Sequence, residues 1–196
     1  TIQNQGSGRV FVDTLPLTQI DMQGSARLAV KVASSIVKTD TSCTVNPDEY
    51  DYFFVIRTNS PIIGGPSAGG IMTAAVVSLL EGWDMAEDTV MTGMINPDGS
   101  IGPVGGIVKK IDAAASVGAK RFLILEGQET YTETVYETVK TQWGSQIVTQ
   151  QVTRNVSDYA LDNYGIEVVK VQDLPDVLLY YTGHQIQPEQ SSNNIS

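Results

Sequence analysis

The chain has one cysteine, Cys43, and one histidine, His184. A single cysteine excludes an internal disulfide framework and any cysteine-rich metal site, and a single histidine excludes a multi-histidine metal centre. Positive charge is also scarce: 12 Lys and Arg stand against 22 Asp and Glu, a net charge of −10 over 196 residues. That balance argues against a nucleic-acid backbone as partner. No apolar run approaches the ~20 residues that a membrane helix needs. No G-x-x-x-x-G-K-[ST] phosphate loop occurs, so no ATPase is legible in this stretch, and no metal or nucleotide cofactor is implied. The chain does not begin with Met and shows no signal peptide, so it reads as a segment excised from something longer. What is present is ordinary for a globular domain able to bury a core, with 41% hydrophobic and 17% charged residues.

Strand and helix patterns alternate irregularly along the chain. Residues 1–20 read as strands, with Pro16 marking an edge or a strand end. Ala26, Leu28, Ala29, Val32 and Ile36 recur at three and four residues and predict a helix over 22–37. A polar loop over 39–49 leads to a β-branched and aromatic strand over 50–57. The nearly all-apolar run 71–82 predicts a central helix. A strand over 89–95, the turn Asn96-Pro-Asp-Gly99 and a return strand over 100–104 predict a hairpin. Then follow a helix over 107–117, a strand over 121–125, a helix over 129–143 and a strand over 146–151. A short helix over 157–163, a strand over 167–171 and a helix over 174–182 complete the pattern. The sum is an α+β, mixed α/β, domain over residues 1–184, with 185–196 a polar tail or linker.

The chain is organised around Asn59-Ser-Pro-Ile-Ile-Gly-Gly-Pro-Ser-Ala-Gly-Gly70, which lies between the strand and the central helix. Ser67 sits at its centre, bracketed by Gly64, Gly65, Gly69 and Gly70. Glycines let a backbone turn sharply and let another backbone approach closely. A serine just before a helix has its hydroxyl near unpaired N–H groups, which can stabilise an oxyanion. The competing reading is a tight turn in which Ser67 caps the helix.

A nucleophilic serine needs a base. His184, at the edge of the polar tail, reads as a surface residue. A carboxylate alone does not usually activate a serine, which leaves a lysine made neutral in a dry site. Lys109 and Lys110 are the only lysines in a glycine-bracketed apolar setting. On a helical wheel Val104, Ile107, Val108, Ile111 and Ala115 define the apolar face. At ~100° per residue Lys109 points almost opposite that face and Lys110 lies on its flank, able to turn into a cleft. The competing reading is that both lysines are solvated.

Gly65-Pro-Ser-Ala-Gly69, Met91-Thr-Gly93 and Gly102-Pro-Val-Gly-Gly-Ile-Val-Lys-Lys110, in that order, resemble the proteolytic domain of the Lon proteases. The likeness runs from about Val10 to Tyr181 and is closest to ATPase-free, archaeal-type Lon-like proteins. It implies a serine endopeptidase with a Ser–Lys dyad, the serine falling on Ser67, the lysine on Lys110, and a lysine-orienting threonine on Thr92. Backbone N–H groups around Gly65, Pro66, Ser67 and Ala68 would form the oxyanion hole. Bacterial members carry an acidic residue three positions before the serine, and Gly64 stands there instead, without a carboxylate to occlude the site.

The resemblance implies a protein or peptide substrate, a homo-oligomer, and an ATPase or membrane segment outside this stretch. Location is then membrane-anchored or exterior-facing, with the cytoplasm as alternative. The sequons Asn155-Val-Ser157 and Asn194-Ile-Ser196 are compatible with the exterior. Two other functions remain open. Gly65-Pro-Ser-Ala-Gly69 also fits G-x-S-x-G, and the order Ser67, Asp176, His184 fits an α/β-hydrolase-like esterase. Residues 59–64 intervening after the strand speak against it. A non-catalytic interaction domain is the third reading, and the joint presence of Ser67, Thr92 and Lys110 speaks against that.

Overall fold

A computed structural model describes residues 1–63 and 65–186, without the side chains of 16–18, 58–63 and 141. The first layer is a sheet of β1 (Ile2–Asn4), β2 (Val10–Thr18) and β3 (Tyr50–Ile63), in the order β1-β3-β2. β2 and β3 run parallel and are joined across one face by α1 (Ile20–Thr39). α1 buries Ala26, Ala29, Val32, Ala33 and Val37, an apolar stripe of small residues that lets α2 (Gly69–Glu81) pack closely. α2 is apolar on most sides, and its Ala74, Val76, Val77 and Leu80 lie in the main core. Gly82, in the left-handed region at φ 72, ends it.

The second layer is a parallel sheet, β4 (Thr89–Met91), β7 (Arg121–Leu125) and β10 (Glu167–Val171), in the order β10-β7-β4. β7 is central and reads Arg-Phe-Leu-Ile-Leu, with Phe122, Leu123 and Ile124 fully buried, as a strand covered on both faces requires. α3 (Ile107–Ser116) and α4 (Val156–Tyr164) share a second apolar cluster with Phe122 and Ile124. α5 (Leu174–Thr182) closes the main core through Leu174, Val177 and Leu178. No helix among the described residues is long and apolar enough to cross a membrane.

The architecture is the expected α+β domain, with three local differences. The expected strand over 89–95 is broken at Thr92 and Gly93: β4 joins the parallel sheet, while β5 (Met94–Ile95) turns away to pair with β6 (Ile101–Gly102). The hairpin through Asn96–Gly99 is therefore real but two residues deep on each side. The expected helix over 129–143 is a strand instead. β8 (Thr130–Thr141) pairs antiparallel with β9 (Gly144–Asn155) along its whole length. All but Glu133, Glu137 and Lys140 of β8 are Thr, Val or Tyr, residues stiff at χ1 that favour strands over helices. Thirdly, β3 continues to Ile63, so most of the interval between the expected strand and Ser67 is itself strand. Asn155 accepts from the N–H groups of Ser157 and Asp158 as the cap of α4. Asn194 and most of the polar tail, from residue 187 on, lie outside the described residues, as does Gly64.

Candidate active site

Strand β3 delivers the chain to Gly65, whose φ of 93 is the left-handed backbone that glycine accepts without strain. A single 3-10 turn, Pro66–Ala68, follows and runs straight into α2. Ala68, not Ser67, is the helix cap, and no side chain caps the helix. The capping role considered for Ser67 is therefore not the one it has. The turn is clamped by backbone from the break between β4 and β5. Gly93 N–H donates to the Ser67 carbonyl at 2.9 Å, and Gly70 N–H donates to the Gly93 carbonyl at 3.0 Å. This approach needs glycine: a Cβ on Gly69 would lie 2.8 Å from the Ile95 nitrogen, and one on Gly93 would lie 2.5 Å from Ile101 Cγ2.

The same break positions Thr92. Its N–H continues the parallel ladder to the Leu123 carbonyl at 3.1 Å, and its side chain is buried, with 4% of the residue exposed. Lys110 arrives from the first turn of α3, where Gly106 in the left-handed region starts the helix. Lys110 Nζ donates to Thr92 Oγ1 at 2.9 Å. Lys110 is half-buried while Lys109 is exposed, the separation that the helical wheel gives. Burial among apolar groups disfavours the Lys110 ammonium and lowers its pKa below the ordinary lysine value.

Ser67, Thr92 and Lys110 line one cleft of about 320 Å³, walled by Ala68, Ile71, Val90, Met91, Ala113, Ala114, Val117 and Phe122. The Lys110 hydrogen bond goes to Thr92 rather than Ser67, and such contacts often tighten only when substrate is bound. A larger cleft of about 750 Å³ lies between β8–β9 and α4, but Glu133, Asp158 and Asp162 line it and it brings no nucleophile to a base. Among the described residues no group of His, Cys, Asp and Glu is arranged to hold a metal ion.

One contact at the site was not legible in the sequence. Asp21, in the first turn of α1, accepts from the Gly65 N–H at 2.8 Å through one carboxylate oxygen and from its neighbour Met22 N–H at 2.8 Å through the other. Ser25 Oγ, one turn on, reaches the Pro66 carbonyl at 3.4 Å. Of the backbone N–H groups expected around Gly65 to Ala68 to serve an oxyanion, that of Gly65 is engaged by Asp21, and Pro66 has none. Asp21 lies 46 residues from Ser67 in the chain, and an acidic residue in a first helical turn has an ordinary reason to be there, so nothing local marks it.

His184 is elsewhere. It is exposed and its ring stacks on Trp83, 4.7 Å between centroids. Trp83 follows the C-terminal end of α2 and Ser67 precedes its N-terminal end. At 1.5 Å per residue the helix holds them ~20 Å apart. Asp176 accepts from the Gln172 N–H at 2.9 Å, not from His184. The extension of β3 removes the intervening loop as an objection to an esterase, but the distant histidine is a stronger one.

The Lon protease (S16) C-terminal proteolytic domain family matches residues 4–162. The chain is 38% identical over 102 residues to the Lon protease of Phenylobacterium zucineum (strain HLK1), a stretch covering 50% of this chain and 13% of that protein. It is 30% identical over 127 residues to the archaeal Lon protease of Halobacterium salinarum (strain ATCC 700922 / JCM 11081 / NRC-1), covering 65% and 17%. It is 37% identical over 113 residues to the Lon protease of Haemophilus influenzae (strain ATCC 51907 / DSM 11121 / KW20 / Rd), covering 57% and 14%. The chain thus spans less than a fifth of the length of these relatives.

Proposed function

The chain belongs to the Lon protease (S16) C-terminal proteolytic domain family, and on that premise we propose that it is a serine endopeptidase working through Ser67 and Lys110. The observation that carries this reading is the pairing of Lys110 Nζ with buried Thr92 Oγ1 in the cleft that Ser67 lines. Burial lowers the lysine pKa, which favours the neutral amine that a base must be.

Ser67 Oγ attacks the scissile carbonyl while neutral Lys110 takes its proton. The N–H groups of Ser67 and Ala68 hold the oxyanion that forms. As the carbon–nitrogen bond breaks, Lys110 returns the proton to the leaving amine, and the same base then activates water to release the acyl group. Thr92 orients the amine and satisfies it while neutral. The apolar walls favour a substrate with an apolar side chain beside the scissile bond, since a charged one would lose its hydration there. Substrates are unfolded proteins or peptides, and hydrolysis by this chain is independent of ATP.

Ser67→Ala tests the reading. Hydrolysis of an unstructured peptide is expected to fall to background with the circular dichroism spectrum unchanged. Full turnover by the folded variant would contradict it.

A further inference from the structure

Three successive residues of the serine turn are each held by a different partner. Gly93 N–H, from the break between β4 and β5, holds the Ser67 carbonyl at 2.9 Å. The other two partners lie one turn apart on α1. Ser25 Oγ reaches the Pro66 carbonyl at 3.4 Å, and an Asp21 carboxylate oxygen accepts from the Gly65 N–H at 2.8 Å. The Asp21 contact is the shorter of these two, and its acceptor is ionised, which makes it the stronger kind of hydrogen bond.

Gly65 is where the turn has most freedom to move. Its φ of 93 is one of several values that glycine adopts at little cost. A Cβ built on it would meet nothing within 4 Å among the described residues, so packing does not wedge it in place. Pro66, next along the chain, is exposed and has no N–H to give. The bond from Asp21 supplies the restraint that packing does not.

Asp21 is itself fixed. Its second carboxylate oxygen accepts from the Met22 N–H at 2.8 Å. The Met22 side chain is buried with Ala26, Ala29 and Met72 in a small cluster against which Ala68 packs. Both partners of the carboxylate are donors, so both oxygens must accept. An asparagine of the same shape offers one such acceptor and turns its NH2 toward the other N–H. The position therefore calls for a carboxylate, although Asp21 is not among the residues lining the cleft.

On the premise that Ser67 is the nucleophile, we propose that Asp21 is its positioning residue, acting through Gly65. It ties the start of α1 to the serine turn and so fixes where Ser67 Oγ and the N–H groups beside it stand. A misplacement of ~1 Å costs on the order of 10²-fold in rate. Lys110 and most of the apolar walls belong to other elements. Loss of Asp21 thus moves the nucleophile and leaves the base and the substrate contacts as they are.

Asp21→Ala and Asp21→Asn, made in the full chain, test this. In Asp21→Ala the Gly65 amide, followed by nuclear magnetic resonance, is expected to exchange about tenfold faster than in the wild type. Its far-ultraviolet circular dichroism is expected to be unchanged. On an unstructured peptide kcat is expected to fall about 10- to 100-fold, with KM within about twofold and the midpoint of the pH–rate profile where it was. Asp21→Asn fills the same space and is expected to lose kcat as well. Wild-type kcat in either variant, in a chain whose hydrolysis depends on Ser67, would overturn this inference alone. So would an unchanged Gly65 amide in Asp21→Ala, a loss confined to KM, or a moved pH midpoint. A wild type without Ser67-dependent hydrolysis would overturn the peptidase reading and this inference with it.

Discussion

A lysine serves as a base near neutral pH only when its ammonium is disfavoured, and Lys110 meets that condition by burial. The base must be neutral, so the rate should rise with pH through a pKa below the ordinary ~10.4 of lysine. The same shift has a stability consequence. Between the lowered folded value and the ordinary unfolded one, the unfolded chain binds more protons, so stability also rises with pH across that window. Lys110→Arg should be inactive throughout, because a guanidinium stays protonated. Thr92→Val keeps the shape of the buried side chain and removes the hydroxyl, so activity should fall about tenfold, ~1.4 kcal/mol of transition-state stabilisation. A pH–rate profile of each variant checks both. Lys110 was legible because the helical period places it on the flank of an apolar face, while its neighbour Lys109 faces solvent. Asp21 was not, because its partner is a backbone amide brought close only by tertiary packing.

At the scale of elements, the close packing of the serine turn against β5 makes an uneven prediction for adjacent glycines. A Cβ on Gly69 meets the backbone nitrogen of Ile95 at 2.8 Å, whereas one on Gly70 meets Met91 Cε at 2.5 Å, the far end of a flexible side chain. Gly69→Ala should cost about 1–3 kcal/mol and most of the activity, because backbone must shift. Gly70→Ala should cost less, since Met91 can move and alanine favours the helix. Thermal unfolding of the two variants checks the order. Elements with a strong period, such as α1 and the apolar β7, were read at nearly their observed limits. The hairpin was missed for a physical reason. Its turn, Gln142-Trp143, lacks the Asn-Gly or Asp-Gly signal of two-residue loops, and the Glu133–Glu137 spacing imitates a helix. The break in β4 at Thr92 was hidden because Met91-Thr-Gly-Met-Ile95 carries strand-forming residues on both sides of Gly93.

At the scale of the whole molecule, the serine turn, α2, α3, β4 and β7 bring their residues to one cleft, and the lone histidine lies at the other end of the central helix. His184→Ala should therefore leave peptide hydrolysis unchanged, within about twofold, less than 0.5 kcal/mol. An esterase built on Ser67 and His184 would lose its turnover. With no phosphate loop in the sequence, ATP and magnesium should not alter the rate of peptide cleavage. Steady-state assays with and without nucleotide check this.

The central claim is that Ser67 is a nucleophile activated by Lys110, and its most direct measurement is active-site labelling with a sulfonyl fluoride. The serine oxygen forms a bond to sulfur, fluoride leaves, and the proton passes to the lysine. The modified residue is read by peptide mass spectrometry over a range of pH. The account predicts one label per chain, on Ser67. Its rate should rise with pH below the ordinary lysine range and be lost in Lys110→Ala. Labelling at another residue, or labelling of Ser67 at an undiminished rate in Lys110→Ala, would contradict it.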